Sequence, residues 1–425
     1  MAATRISTVC RVRRAVGVRV AWPLLLSVTA AEAGVRLLSS ARARRRLAPA
    51  SLERHFTPEE VRRARRFARG QALLGTLHGA VQLALLAALV RREQQRSRRE
   101  GACERARGEG AGPVRRGVVE ATRGGAGLAL ALRFAPLPFA ALARRRAVRA
   151  GLITQPWQGW LRDLARATAL ETAFAGALAG GVITLTRRWP RGWWAPAAAL
   201  SWTLGAALAT LAPVVLDPLF NDFTPLAPGP LRDELLALAE RAGVHVRDVL
   251  TVDASRRTNA ANAYVAGIGP TRRLVLFDTL LERFEPEEVR VVIAHELAHV
   301  RFHDVRRALA QAALTTGPMA LAVERLSAEL LPGREGSAAA LPGLALAGAL
   351  VSAPVALVSS RLSRAVERRA DRFSLELSRA PAAFISFERK VALQNLADPA
   401  PPRWRTLLSS HPPALERIAM AECWR

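Results

Sequence analysis

Glu285-Pro286-Glu287-Glu288-Val289-Arg290-Val291-Val292-Ile293-Ala294-His295-Glu296-Leu297-Ala298-His299-Val300 is the stretch on which the reading of this chain turns. A proline in the first turn and acids facing the positive end of the helix dipole mark a helix start. Val289, Val292, Ile293 and Val300 then recur at helical spacing and form one apolar stripe. On such a helix His295 and His299, four residues apart, share a face. Both imidazoles can therefore reach one metal ion, while Glu296 points beside it at a water.

A metal site that does chemistry uses three protein ligands and keeps one position open. No third histidine follows at the extended HExxHxxGxxH spacing, because Arg301-Phe302-His303 offers a histidine too early and without the glycine turn. Glu367 is the candidate. It lies in Ser363-Arg364-Ala365-Val366-Glu367-Arg368-Arg369-Ala370-Asp371, a helical segment that places Asp371 one turn further on. This i, i+4 pair suits a ligand and a carboxylate that accepts the other ring N–H of a ligating histidine.

Upstream of the motif, residues 217–307 are mixed in character and read as an α/β unit. Residues 230–242 carry helical apolar spacing, 249–252 form a short strand, and 263–265 with 274–277 form a hairpin around Gly267-Ile268-Gly269-Pro270. Outside this unit the chain is dominated by long apolar runs. Residues 72–90, 197–216 and 338–358 contain no Asp, Glu, Lys or Arg, and about 20 apolar residues as helix cross a bilayer core. Residues 168–186 carry only Glu171 and 124–143 only Arg133. Residues 308–323 are uncharged but short, and 19–38 are interrupted by Glu32 and Arg36. The total is seven expected spans. The first apolar residues, 20–31, follow a basic leader and are read as an uncleaved first span.

The composition agrees. The 425 residues are 50% hydrophobic yet carry a formal charge of +27, with mean hydropathy +0.11 and pI near 11.7. Lys390 is the only lysine, and runs such as Arg44-Arg45-Arg46 and Arg144-Arg145-Arg146 flank apolar stretches. That placement fits anionic lipid headgroups. No interleaving of aromatic and basic residues supports a nucleic-acid partner, and none is expected. Cys10, Cys103 and Cys423 are too scattered for a disulfide framework or a thiolate metal site.

The sequence resembles the type I CAAX prenyl endopeptidase family of membrane gluzincins over several separated blocks. Asp217-Pro218-Leu219-Phe220-Asn221-Asp222-Phe223-Thr224-Pro225-Leu226 is similar to the family's entry to the catalytic domain. Asn262-Ala263-Tyr264 with Val275-Leu276-Phe277-Asp278-Thr279-Leu280 resembles its substrate-edge hairpin. HExxH, Glu367 with Asp371, and Ser410-His411-Pro412 with Arg417 complete the order. Residues 144–149 depart from the family's acidic, glycine-phenylalanine loop, and 93–123 form a basic insertion.

The resemblance implies a mainly α-helical integral membrane protein of about seven transmembrane helices around a chamber, with an inserted zincin-like α/β catalytic domain. Four segments are expected: 1–216, 217–306, 307–358 and 359–425. One Zn²⁺ would be held by His295, His299 and Glu367, with Glu296 as general base. By the same resemblance Asn262 would hold the substrate backbone, and His411 and Arg417 would donate to the oxyanion. The expected reaction is peptide-bond hydrolysis by a multi-pass monomer in a bacterial plasma membrane, acting on peptides or membrane proteins. A heat-shock-type membrane quality-control protease is the rival enzyme. A catalytically silent scaffold is the rival outside enzymology, although every site position here is filled.

Overall fold

The computed structural model describes residues 2–104, 114–215, 217–267 and 269–424, with the side chains of 2–18, 101–116 and 212–214 left aside. The side chains of the leader, of Cys10 and of Cys103, and residues 105–113 of the basic insertion altogether, thus lie outside what is described.

Among the described residues, five helical stretches are long and apolar enough to cross a membrane: Arg19–Leu38, Pro58–Glu100, Trp157–Arg188, Trp194–Leu211 and Ala338–Ser378. A sixth arises if Gly117–Phe134 and Leu137–Arg149, bent by 43° at their break, count as one span. These six cover all the expected spans except residues 308–323. That run lies within Asp304–Leu330, a 27-residue helix that is not apolar enough to qualify, since charges at both ends dilute its short uncharged centre. It is nonetheless integral to the bundle. Its Gln311 is buried and donates to the Ala31 carbonyl and to Ser359 Oγ, both at 3.1 Å, tying three helices together. Gly34 admits that amide, because a Cβ there would stand 1.8 Å from Gln311 Oε1. Between apolar helices such polar contacts and small residues provide adhesion that the hydrophobic effect cannot.

The same device joins Val114–Phe134 to Trp157–Arg188. A Cβ on Gly125 would meet Ala179 Cβ at 2.3 Å and the Ala175 carbonyl at 2.8 Å, so the backbones approach only because that position is glycine. The arginine-rich residues 144–149 are helical rather than looped. Arg144 is buried against Trp157 and Trp160, at 4.9 and 5.4 Å from their ring centroids, which satisfies a cation away from water through the ring quadrupoles.

The α/β unit holds a four-stranded sheet: β1 (Phe223–Pro225), β2 (Asp248–Val252), β3 (Ala263–Ala266) and β4 (Arg273–Phe277), in the order β1-β2-β4-β3. The expected hairpin is present, with Tyr264 opposite Val275. Two features go beyond the sequence expectation: β1, antiparallel to β2, and the parallel pairing of β2 with β4. The helices Pro230–Arg241 and Pro286–Arg301 cover the sheet. Leu235, Leu238, Val249, Leu274, Leu276, Ile293 and Leu297 are fully buried between these layers, each removing about 1.5–3 kcal/mol worth of side chain from water. β3 is one of the two edge strands, and it runs beside the helix that bears the two histidines.

Leu341–Ser378 is one continuous helix of 38 residues. At about 1.5 Å per residue it reaches some 57 Å, long enough to leave the apolar region and carry Glu367 and Asp371 to the α/β unit. It therefore runs unbroken through residues 358 and 359.

Candidate metal centre

Pro286–Arg301 begins with a full capping box, in which the Glu285 side chain accepts from the N3 backbone and Glu288 accepts from the Glu285 N–H. This fixes the helix start and hence the direction of every side chain on it. His295 and His299 project from one face with their Nε2 atoms 3.2 Å apart. From the continuous helix Leu341–Ser378 the Glu367 carboxylate joins them, Oε2 at 3.3 Å from His295 Nε2 and Oε1 at 3.8 Å from His299 Nε2.

These spacings test whether a metal fits. Four ligands at about 2.0–2.1 Å around a tetrahedral ion stand roughly 3.3 Å from one another. The three contacts bracket that value. Glu367 Oε2 is moreover buried without a hydrogen-bond donor, an expensive state for a carboxylate oxygen unless a cation meets it. The ligand atoms of His295, Glu296 and His299 also come within 4.8 Å of one another, so Glu296 stands beside the same point. The residues fit a divalent metal ion.

Each histidine is held from behind. His295 Nδ1 lies 2.9 Å from Asp371 Oδ1, and Asp371 is fully buried. Arg417 grips Asp371 through both carboxylate oxygens, at 2.9 and 2.5 Å, and reaches Glu388 Oε1 at 2.8 Å. His299 Nδ1 lies 3.0 Å from Asp304 Oδ2, and Asp304 is itself clamped by Arg307 and Arg369. A carboxylate on Nδ1 selects the tautomer that leaves Nε2 free for a metal.

The electrostatics follow from this wiring. Burial disfavours charge on His295, but its hydrogen bond to Asp371 and the adjacent Glu367 carboxylate outweigh it and lift the imidazole to about 10. Metal uptake there must displace a proton. Burial raises the Glu296 carboxyl above its ordinary range, against the pull of the two histidines. Burial likewise pushes Glu388 up to about 7 although Arg417 opposes it. Asp371 and Glu388 overcome the burial penalty on Arg417 and hold it more firmly charged than usual.

The structure brings all eight expected residues to this region, in different relations. Asn262 is exposed just ahead of β3 and lines a cavity of about 510 Å³ together with Glu296, Glu367, Glu388, His411 and Arg417. Its carbonyl accepts from Phe277 N–H at 3.0 Å, which leaves the side chain available. His411 is 61% exposed, with Nε2 3.5 Å from Glu367 Oε2 and Nδ1 against Ser410 Oγ. Arg417 stands on the Nδ1 side of His295, 3.5 Å away, with its nitrogens committed to Asp371 and Glu388. A second cavity of about 470 Å³ opens on the other side of Glu296, along Tyr264, Val265 and His303. Tyr264 is more than packing, since its hydroxyl donates to Asp217 Oδ2 at 3.1 Å.

Asp304 and Glu388 escaped the sequence reading. Asp304 had a faint signal, an acid in the first turn of the next helix five residues after His299. What turns it back is His303, in the left-handed region at φ 55°, which ends one helix and starts the next. Glu388 had no local signal.

Comparison with known proteins supports the same frame. Residues 225–425 match the peptidase family M48. The metalloprotease YhfN of Bacillus subtilis, described as uncharacterized, is 34% identical over 248 residues, 56% of this chain and 58% of that protein. The CAAX prenyl protease 1 homolog of Oryza sativa is 32% identical over 231 residues, 52% and 53% of the two chains. CAAX prenyl protease 1 of Saccharomyces cerevisiae is 31% identical over 143 residues, 33% and 32%. The chain thus spans at most a little over half the length of these curated relatives. In fold the likeness is wider: the crystal structure of S. mikatae Ste24p aligns with TM-score 0.72 over 96% of this chain and 98% of that one, at 18% identity. Residues 225–425 are thus similar to peptidase family M48 and to the CAAX prenyl protease 1 homologues, and the chain shares its fold with the Ste24p structure.

Proposed function

We propose that this chain is a zinc-dependent endopeptidase embedded in a bacterial plasma membrane as a monomer, hydrolysing peptide bonds in peptides or membrane proteins in the manner of CAAX prenyl endopeptidases. The observation that carries the reading is the convergence of His295, His299 and Glu367 at tetrahedral ligand spacing, with Glu296 alongside. Zinc held by those three would supply Lewis acidity at the scissile carbonyl and a more acidic water.

The chain's own residues do the rest. Asp371 and Asp304 hold the two imidazoles in the metal-binding tautomer and orientation. Glu296 takes the proton of the attacking water and returns it to the leaving amine, and its raised carboxyl suits a base near neutral pH. The free edge of β3 accepts an extended peptide as an added strand, with the Asn262 amide on its backbone. Exposed His411 donates to the oxyanion. Arg417 acts as a positioning residue through Asp371, because its guanidinium is already engaged. In this reading residues 1–216 and 307–358 form the membrane part, while 217–306 and 359–425 supply the two halves of the site.

Metal content measured beside cleavage of a generic peptide library, on detergent-purified wild type and Glu296→Gln, tests this. One zinc per chain in both, with cleavage only in wild type, is the expected result. Metal bound without cleavage in wild type would overturn the enzymatic reading in favour of a scaffold.

A further inference from the structure

The helix Pro58–Glu104 enters its apolar run at residue 72. Just before that point, Arg65 and Arg69 project from one face at i, i+4 spacing, followed on the same face by Ala72, Leu73 and Thr76. The short helix Arg403–Leu408 lies opposite, and between the two is a cavity of about 590 Å³ lined by Arg65, Arg69, Leu73, Thr76, Trp404 and Arg405. It is distinct from the main cleft, with which it shares only Asp398.

Its arginines are arranged rather than scattered. Arg405 donates to the Ala68 carbonyl at 3.1 Å and lies 5.5 Å from the Trp404 ring centroid. Arg65 is steered by Asp398 through a 3.4 Å contact, the one carboxylate at the site. Arg69 is exposed and has no ion-pair or hydrogen-bond partner among the described residues. Three cations against one anion leave a net positive charge facing the cavity. The lining also presents exposed apolar side chains, Leu73 and Trp404, each 60% exposed.

We propose that this cavity binds the headgroup of an anionic glycerophospholipid. The phosphate sits between Arg69 and Arg405, whose planar donor forks match its oxygens, and an acyl chain follows Leu73 and Thr76 along the apolar run. Two independent features select a lipid over a soluble anion. The arginines stop where the uncharged run begins, which is the depth of the phosphate plane of a bilayer, and an exposed tryptophan flanks them, as at membrane interfaces.

Native mass spectrometry of the full chain, released from detergent micelles doped with phosphatidylglycerol or phosphatidylcholine, tests the site. Phosphatidylglycerol should be retained in preference. Arg69→Gln should weaken that retention by about five-fold, the effect of one interfacial cation, whereas Arg66→Gln, exposed on the same helix but away from the cavity, should change it less than two-fold. Unchanged metal content in both variants shows that they fold. Equal retention of phosphatidylcholine, or equal losses for the two variants, would overturn the site in favour of diffuse attraction. Displacement of phosphatidylglycerol by millimolar inorganic phosphate would overturn the lipid in favour of a free-anion site.

Discussion

Removing the Asp304 carboxylate puts the support of the metal centre to its sharpest test. Asp304 Oδ2 accepts from His299 Nδ1 at 3.0 Å, and its side chain is only 10% exposed, so water cannot readily replace it. Loss of such an orienting carboxylate lowers metal affinity by about 10- to 100-fold, or roughly 1.4–2.7 kcal/mol. Asp304→Ala should fall in that range. Asp304→Asn, which keeps an acceptor but not the charge, should fall near its lower end. Zinc affinity measured by competition with a chromophoric chelator reads the effect directly, with circular dichroism as a check on folding. Arg307→Gln serves as a control, because it removes a 3.3 Å contact on the far side of Asp304 and leaves His299 untouched. Asp304→Ala that is folded and binds zinc within two-fold of wild type would refute the reasoning.

Other consequences are equally measurable. Glu296→Gln should retain metal and lose at least about 10²–10⁴ of kcat; a folded, metal-loaded variant within ten-fold of wild type would remove Glu296 from the role of base. Gly125→Leu should lower the thermal midpoint of the detergent-solubilised protein, since overpacking costs about 1–3 kcal/mol, while Gly127→Leu, where a Cβ would have no neighbour within 4 Å, should not; equal shifts for both would exclude close helix approach as the cause. Glu388 bears on pH. Its folded carboxyl is raised to about 7, so between the ordinary carboxylate range and 7 the folded chain binds more protons than the unfolded one, and stability falls as pH rises through that window. Glu388→Gln lacks this titration, so its midpoint should gain on wild type from pH 5 to pH 8; a pH-independent difference between the two would show that Arg417 keeps Glu388 ionised throughout.

Much of this protein is determined by the sequence alone because its signals are local. The four-residue step between His295 and His299 needs only a helix, and Glu285, Pro286 and Glu288 start that helix within one turn. Apolar length reports membrane-spanning capacity residue by residue, and it holds for six of the seven runs. Where it fails, at 308–323, flanking charge and a short centre leave a helix that joins the bundle through Gln311 instead of through hydropathy.

What only the tertiary structure decided is non-local. The parallel pairing of β2 with β4 depends on a long connection, and three-residue β1 pairs only once β2 exists to receive it. Glu367 could be nominated from its i, i+4 relation to Asp371, but its approach to His295 depends on an unbroken 38-residue helix crossing from the apolar region. Asp304 takes its place behind His299 because one residue, His303, adopts a left-handed conformation that a linear pattern does not announce. Arg417 shows the limit most plainly: its charge can be read from the chain, but whether it faces an oxyanion or braces Asp371 depends on which carboxylates the fold packs around it, and Asp371 and Glu388 come from two different helices.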